Sequence, residues 1–355
     1  MGDKTGIEWT DASWNPVVGC SKVSQGCKNC YAERVFPRAY PGEKFTNVRF
    51  LKDRLMQPLR WQRPRRIFVN SMSDLFHERL KREVIAQIFA VMALAPHHTF
   101  QFLTKRAFWM YQILTKSYGQ EAEPGEWNYC FRRDVKYWVD KWDWCSPTNP
   151  KEQNQRRWIQ HQLSEGKWPL DHVHFGVSVE NQETADERIP YLLKTPARVR
   201  WVSYEPALGP VDFTTLPSAS GIGRYLDAFS NAGVDPGALI PNKLDWVVVG
   251  GESGPQARPS HPDWFRAVRD QCQTAGVKFF FKQWGEWTPE RPESYTKISS
   301  RRFSHQTFAW DVKGNPYNPL DPPVDHFPSV MVYRVGKKRA GNLLDGAVWK
   351  EYPTP

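Results

Sequence analysis

Six short, almost continuously apolar runs recur along the chain, and they limit its architecture more than any other feature. They are residues 66–70 (RIFVN), 99–104 (TFQFLT), 172–178 (HVHFGVS), 199–203 (VRWVS), 244–250 (LDWVVVG) and 277–281 (VKFFF). Such runs suit parallel strands buried on both faces. Between them lie segments with apolar residues at helical spacing. These are 81–95, 182–193 and 262–275, the last carrying Trp264, Phe265, Val268 and Cys272. Strands alternating with helices imply right-handed βαβ units and a parallel sheet. One further strand near the first cysteines brings the count to six or seven. The expected class is α/β, as a full or partial (β/α)6-type TIM-like barrel, with a doubly wound open sheet as the alternative.

Each run is followed by polar residues. Asn70 leads into Ser71, Ser73 and Asp74, and Leu103 leads into Lys105 and Arg106. Ser178 and Glu180 stand at the end of the third run, and Ser203 leads to Glu205. Gly250-Gly251-Glu252 follows the next strand, and Lys282-Gln283 the last. Polar groups at the carboxyl ends of several parallel strands are where barrel enzymes assemble their sites. One such exit is an ordinary strand end; six in register imply a site.

Two stretches interrupt this rhythm within a single domain spanning 1–355. Residues 107–170 form a Trp-rich basic insertion, expected to be partly helical, and residues 214–243 a looser one rich in Gly, Ser, Ala and Pro. The tail over 290–355 is Pro-rich and reads as mostly irregular. The net charge of +10 and the 17 tryptophans favour a polyanionic partner with exposed bases, DNA or RNA. The competing expectation is that these tryptophans simply pack the insertion. No apolar run is long enough to span a bilayer, and no leader is recognisable, so a cytoplasmic protein with reduced thiols is expected.

In that setting the run Cys20-x6-Cys27-x2-Cys30, flanked by Gly19 and Gly26, is a candidate metal centre. Thiolates select zinc or iron–sulfur groups. Structural zinc wants four closed ligands, often as paired C-x2-C modules. No second pair accompanies this one, because Cys130, Cys145 and Cys272 are scattered. Three thiolates suit a four-iron cluster with one iron left open. Zinc completed by a distant His77 or His98 is the alternative.

The chain also resembles the phage- and prophage-associated three-cysteine-motif proteins, themselves similar to radical S-adenosylmethionine enzymes such as spore photoproduct lyase. The matching stretches include 7–34, 68–78 (FVNSMSDLFHE), 102–106 (FLTKR) and 175–189 (FGVSVENQETADERI). Further matches are 203–212, 247–259 (VVVGGESGPQARP), 279–287 and 335–346. The resemblance implies a [4Fe–4S] cluster on Cys20, Cys27 and Cys30. It also implies reductive cleavage of S-adenosylmethionine to a 5′-deoxyadenosyl radical, with electrons from a flavodoxin- or ferredoxin-like reductant. The sequence departs from radical enzymes of this kind, which space their cysteines C-x3-C-x2-C with an aromatic before the third. Here Asn29 holds that place and Tyr31 follows the motif. By position, Tyr31, Ser71, Ser73, Asp74, Ser178 and Glu180 are expected to bind the cofactor, and Glu205, Glu252 and Lys282 to face the substrate. For each of these a strand-end hydrogen bond or a helix cap is the plainer role. Against an enzyme stands a phage-encoded, zinc-stabilised nucleic-acid-binding protein without catalysis. A metal-assisted barrel hydrolase finds no compact His/Glu motif here.

Overall fold

The computed structural model describes residues 5–115, 127–142, 150–217, 225–230, 243–291, 307–311, 315–317 and 328–353. Seven strands form one parallel sheet: β1 (Ala12–Trp14), β2 (Arg66–Val69), β3 (Thr99–Thr104), β4 (Val173–Val179), β5 (Val199–Tyr204), β6 (Trp246–Gly250) and β7 (Lys278–Gln283). They lie side by side in chain order and curl into a half-barrel. A doubly wound sheet needs a point where the strand order reverses. None exists between β1 and β7, which removes that alternative.

Strand residues alternate between two packed clusters, as a period of two demands. Ile67, Val69, Phe100, Phe102, Val202 and Phe281 face the helices, whereas Phe68, Trp201, Trp246, Val248 and Phe280 surround Trp9 on the other face. The Trp9 indole meets Phe68 and Trp201 edge-on, at 4.8 and 5.0 Å between centroids. The chain end closes this floor. Residues 349–351 hydrogen-bond along the free edge of β7, and Tyr352 stacks near Trp246 at 5.7 Å beneath the Arg66 guanidinium.

The longer helices among the described residues are α1 (Tyr31–Ala39), α2 (Arg82–Leu94), α3 (Ala107–Thr115), α4 (Trp127–Lys141), α5 (Pro150–Ser164), α6 (Gln182–Lys194) and α7 (Pro262–Ala275). Helix α2 is apolar nearly all round, and such a helix must be covered on its outer side too. The insertion provides that cover: Phe131 of α4 lies 5.2 Å from Phe89, and Trp168 lies 5.8 Å from Phe131. The expected insertion over 107–170 is thus partly a structural layer, with Phe131, Val135, Val139, Ile159 and Leu163 in the main core. Of the insertion over 214–243, the described residues include a small antiparallel pair, Leu216–Pro217 with Tyr225–Leu226.

The tail differs from expectation. Strands β8 (Trp287–Thr288), β9 (Thr307–Asp311), β10 (Pro316–Tyr317) and β11 (Pro328–Arg334) form an antiparallel sheet in the order β8-β11-β9-β10. Its prolines sit where a missing N–H is tolerated: Pro316 in an edge strand, Pro328 at a strand start beside a register shift. None of the helices among the described residues is long and apolar enough to cross a membrane.

Candidate metal centre

The cysteine loop crosses the carboxyl ends of the strands. Gly19 pairs with Ser73 beyond β2, and its amide donates to the Met72 carbonyl at 3.1 Å. Gly19 has φ +86°, and a Cβ there would stand 2.4 Å from the Asn47 carbonyl oxygen, so only glycine fits. The Cys20 amide donates to the Phe45 carbonyl at 2.9 Å. Cys27 closes a short 3-10 turn, and Cys30 is the residue on which α1 begins. All three thiols are free and partly exposed. Among the described residues no three His, Cys, Asp or Glu side chains converge on a single-ion position.

Four strand exits hold this loop. At β2 and β3, the Asp74 carboxylate accepts from the Thr104 hydroxyl (2.7 Å), the Phe76 and Lys105 amides (2.9 and 3.1 Å) and Arg106 Nη1 (3.2 Å). Arg106 is a hub. Its Nε donates to Glu78 (2.7 Å), its Nη2 to the Ser21 carbonyl and hydroxyl (3.2 and 2.8 Å), and its Nη1 reaches Cys20 Sγ at 3.6 Å. His77 Nε2 meets the same Ser21 hydroxyl at 2.9 Å. Burial and the Asp74 charge push the Cys20 thiol up to about 12, and the Arg106 charge opposes them. Burial also raises Cys30, despite amide donation from Glu33 and Ala32 at the start of α1. The Cys27 charge raises both neighbours, so the three thiols share one electrostatic neighbourhood.

At β4, Asn181 caps α6 and exchanges hydrogen bonds with Thr184, whose hydroxyl also accepts from the Glu180 amide at 2.8 Å. That capping box fixes the Glu180 side chain against the loop. Its buried carboxylate takes Lys105 Nζ at 2.5 Å, the Ser24 hydroxyl at 3.1 Å and Arg188 Nη1 at 3.2 Å. A Cβ on Gly26 would stand 2.3 Å from Glu180 Oε1, so the loop touches the carboxylate with no room for a side chain. At β6, Glu252 accepts from Arg258 (N 2.7, Nε 2.8, Nη2 2.6 Å) and from Asn29 Nδ2 at 3.1 Å. Asn29 also donates to the Gln256 carbonyl at 2.7 Å, and Arg258 to the Gln25 carbonyl at 3.1 Å.

Burial alone lifts the pKa of Glu180, but the Lys105 and Arg188 charges and the donated hydrogen bonds outweigh it, so the carboxyl sits below its ordinary 4.5. The stabilisation is therefore complete above about pH 4.5 and is lost as pH falls through the lower folded value. Glu180→Gln is expected to flatten the loss of stability between about pH 5 and pH 3. Urea midpoints across that range check this, and parallel curves for variant and wild type would remove Glu180 as the acid-sensitive group.

The remaining expected residues fall into two groups. Ser71 donates to Asn15 Oδ1 at 3.2 Å and Ser73 to the Val17 carbonyl at 2.9 Å, so both hydroxyl protons serve the strand exit. Ser178 is buried, with its carbonyl accepting from Arg188. Tyr31 is 58% exposed at the start of α1. Lys282 Nζ bridges both Glu205 oxygens at 2.8 and 2.9 Å, joining the exits of β5 and β7 in a partly exposed pair. Gln283 donates to the Ser253 hydroxyl at 2.8 Å. His98 is bonded to the Pro58 carbonyl, Cys272 is in the core, and the Cys130 and Cys145 side chains lie outside the described residues. Sequence reasoning missed the second layer, namely Glu78, Asn29, Arg188 and Arg258. Of these only Arg258 carried a signal, six residues beyond Glu252 in the same Gly/Pro-rich turn.

A family model described as a protein of unknown function, DUF5131, matches residues 4–353, and the chain belongs to that family. No curated protein and no solved structure matches the chain.

Proposed function

We propose that the protein is a radical S-adenosylmethionine enzyme whose [4Fe–4S] cluster is held by Cys20, Cys27 and Cys30. The supporting observation is the setting of the loop. Three free thiols within eleven residues are fixed to the exits of four parallel strands, with a guanidinium against one sulfur and two buried carboxylates behind the backbone. When bound, the cluster supplies the electron that splits S-adenosylmethionine into methionine and the 5′-deoxyadenosyl radical.

The chain's own residues then have distinct tasks in this reading. Asp74 and Glu78 hold Arg106, which carries positive charge to Cys20; Asp74 therefore acts through Arg106 and not on the cofactor amine. Ser71 and Ser73 set the β2 exit under Gly19. Glu180 and Glu252 position the loop, and Lys105, held by Glu180, offers its ammonium to a cofactor carboxylate. Tyr31, beside Cys30, offers a ring for the adenine. Lys282 and Glu205 meet the substrate across the mouth, as a donor and acceptor already charged. A partial barrel of this type places all of these at its open end.

Anaerobic purification tests the reading. Brown protein with about four irons and four sulfides per chain, which releases 5′-deoxyadenosine from S-adenosylmethionine on reduction, is the expected result. Colourless protein carrying one zinc would replace it with the metal-stabilised binding protein.

A further inference from the structure

Exposed aromatic rings are unevenly distributed on this molecule. Among the described residues the large exposed aromatics are Tyr31, Phe108, Trp109, Tyr137 and Trp158. All but Tyr31 lie on α3, α4 and α5. Phe108 and Trp109 are each 46% exposed in the first turn of α3, Tyr137 is 54% exposed on α4, and Trp158 is 55% exposed on α5.

Their surroundings are cationic. Helices α4 and α5 together carry seven Lys and Arg against three Asp and Glu. Arg133, Tyr137 and Lys141 follow one another at i, i+4 and i+8, one stripe of α4, and all three are exposed. The Lys141 ammonium lies over the Tyr137 ring at 5.2 Å. On α5, Asn154, Arg157, Trp158 and His161 form the matching exposed face. Arg156 donates to the Asp140 carbonyl, and Arg132 reaches Gly166, so the two helices run antiparallel with both faces outward. Phe108, on α3, stands two residues after Arg106, whose guanidinium contacts Cys20.

We infer that this face is a docking track for single-stranded nucleic acid, which leads from the α4–α5 pair along α3 to the cysteine centre. Isolated rings separated by cations fit stacked bases with intervening phosphates. A protein partner would want a continuous apolar centre depleted of charge, which this face lacks. As a binding surface the track is independent of the cluster. As a means of substrate delivery it rests on the function proposed above.

The test uses the full chain and a fluorescein-labelled single-stranded oligonucleotide, read by anisotropy at two salt concentrations. Wild type is expected to bind with a steep salt dependence. Trp109→Ala with Trp158→Ala should weaken binding about tenfold or more while leaving affinity for inorganic polyphosphate, which has no bases, unchanged. Arg133→Ala, Lys141→Ala and Arg157→Ala together should reduce the slope of log affinity against log salt by about 2. These positions are exposed, and circular dichroism verifies that the variants remain folded. Absence of binding at low salt overturns the inference, as does equal oligonucleotide affinity for the tryptophan variant and wild type. Cys27→Ala separates the two readings, because it should bind the oligonucleotide as wild type does whether or not iron is ever retained.

Discussion

Alanine at Cys20, Cys27 or Cys30 is expected to abolish iron and sulfide retention and, with it, all cleavage of S-adenosylmethionine. Each change removes one of three soft donors, and no other thiol among the described residues stands near enough to replace it. Cys272 is buried in the main core behind the sheet. The loop's backbone is held by Gly19, Ser24, Gln25 and Asn29, so its fold does not depend on any one sulfur. The variants should therefore remain folded and lose only the chromophore. Cys130→Ala, Cys145→Ala and Cys272→Ala should keep it. Full iron content in Cys27→Ala would end the cluster assignment.

Arg106→Met is expected to have two separate effects. The first is on stability. Arg106 and Asp74 are both buried, and removing one partner of a buried ion pair costs about 3–5 kcal/mol. Asp74 keeps three other donors, which places the cost at the lower end, about 3 kcal/mol. The second is on the metal centre. Loss of an N–H···S contact and of a positive charge beside Cys20 should lower the reduction potential of a bound cluster. Arg106→Lys retains charge without the planar fork and should recover the potential more fully than the stability. Urea unfolding and a spectroscopic redox titration measure the two effects. An unchanged unfolding midpoint would mean that the pair contributes nothing, and an unchanged potential would mean that Arg106 does not influence the cluster.

The parallel sheet was legible because both its faces are buried, which leaves continuous apolar runs that need no alternation to be seen. Three boundaries show the limit of that signal. The expected 244–250 run starts its paired register only at Trp246, and the Asp245 carboxylate just before it accepts from the Arg200 amide. The 277–281 run extends to Gln283, across polar residues that strand pairing recruits. Strand β1 has only three residues and precedes the cysteines, too short for a pattern. The antiparallel sheet of the tail was hidden by prolines that occupy its edge and its strand start.

At the site the ligand-type residues were visible by spacing, but their supports were not. Asp74 and Glu252 stood out as acids at strand exits. Arg258 lies in the same turn as Glu252, but Arg106 and Asn29 reach their acids by the approach of distant segments, which local sequence does not encode. The same gap explains why Ser71 and Ser73 looked like free ligands while serving Asn15 and Val17.

Asn29 is 223 residues from Glu252, and Arg258 is 233 residues from Gln25. During synthesis at about 5–20 residues per second, the cysteine loop leaves the ribosome roughly 10–45 s before the turn that secures it. For that interval three thiols are displayed on a nascent chain whose final clasp has not yet been made. A chain cut short before residue 258 would carry the whole motif yet lack the Arg258 guanidinium that joins Gln25 to Glu252.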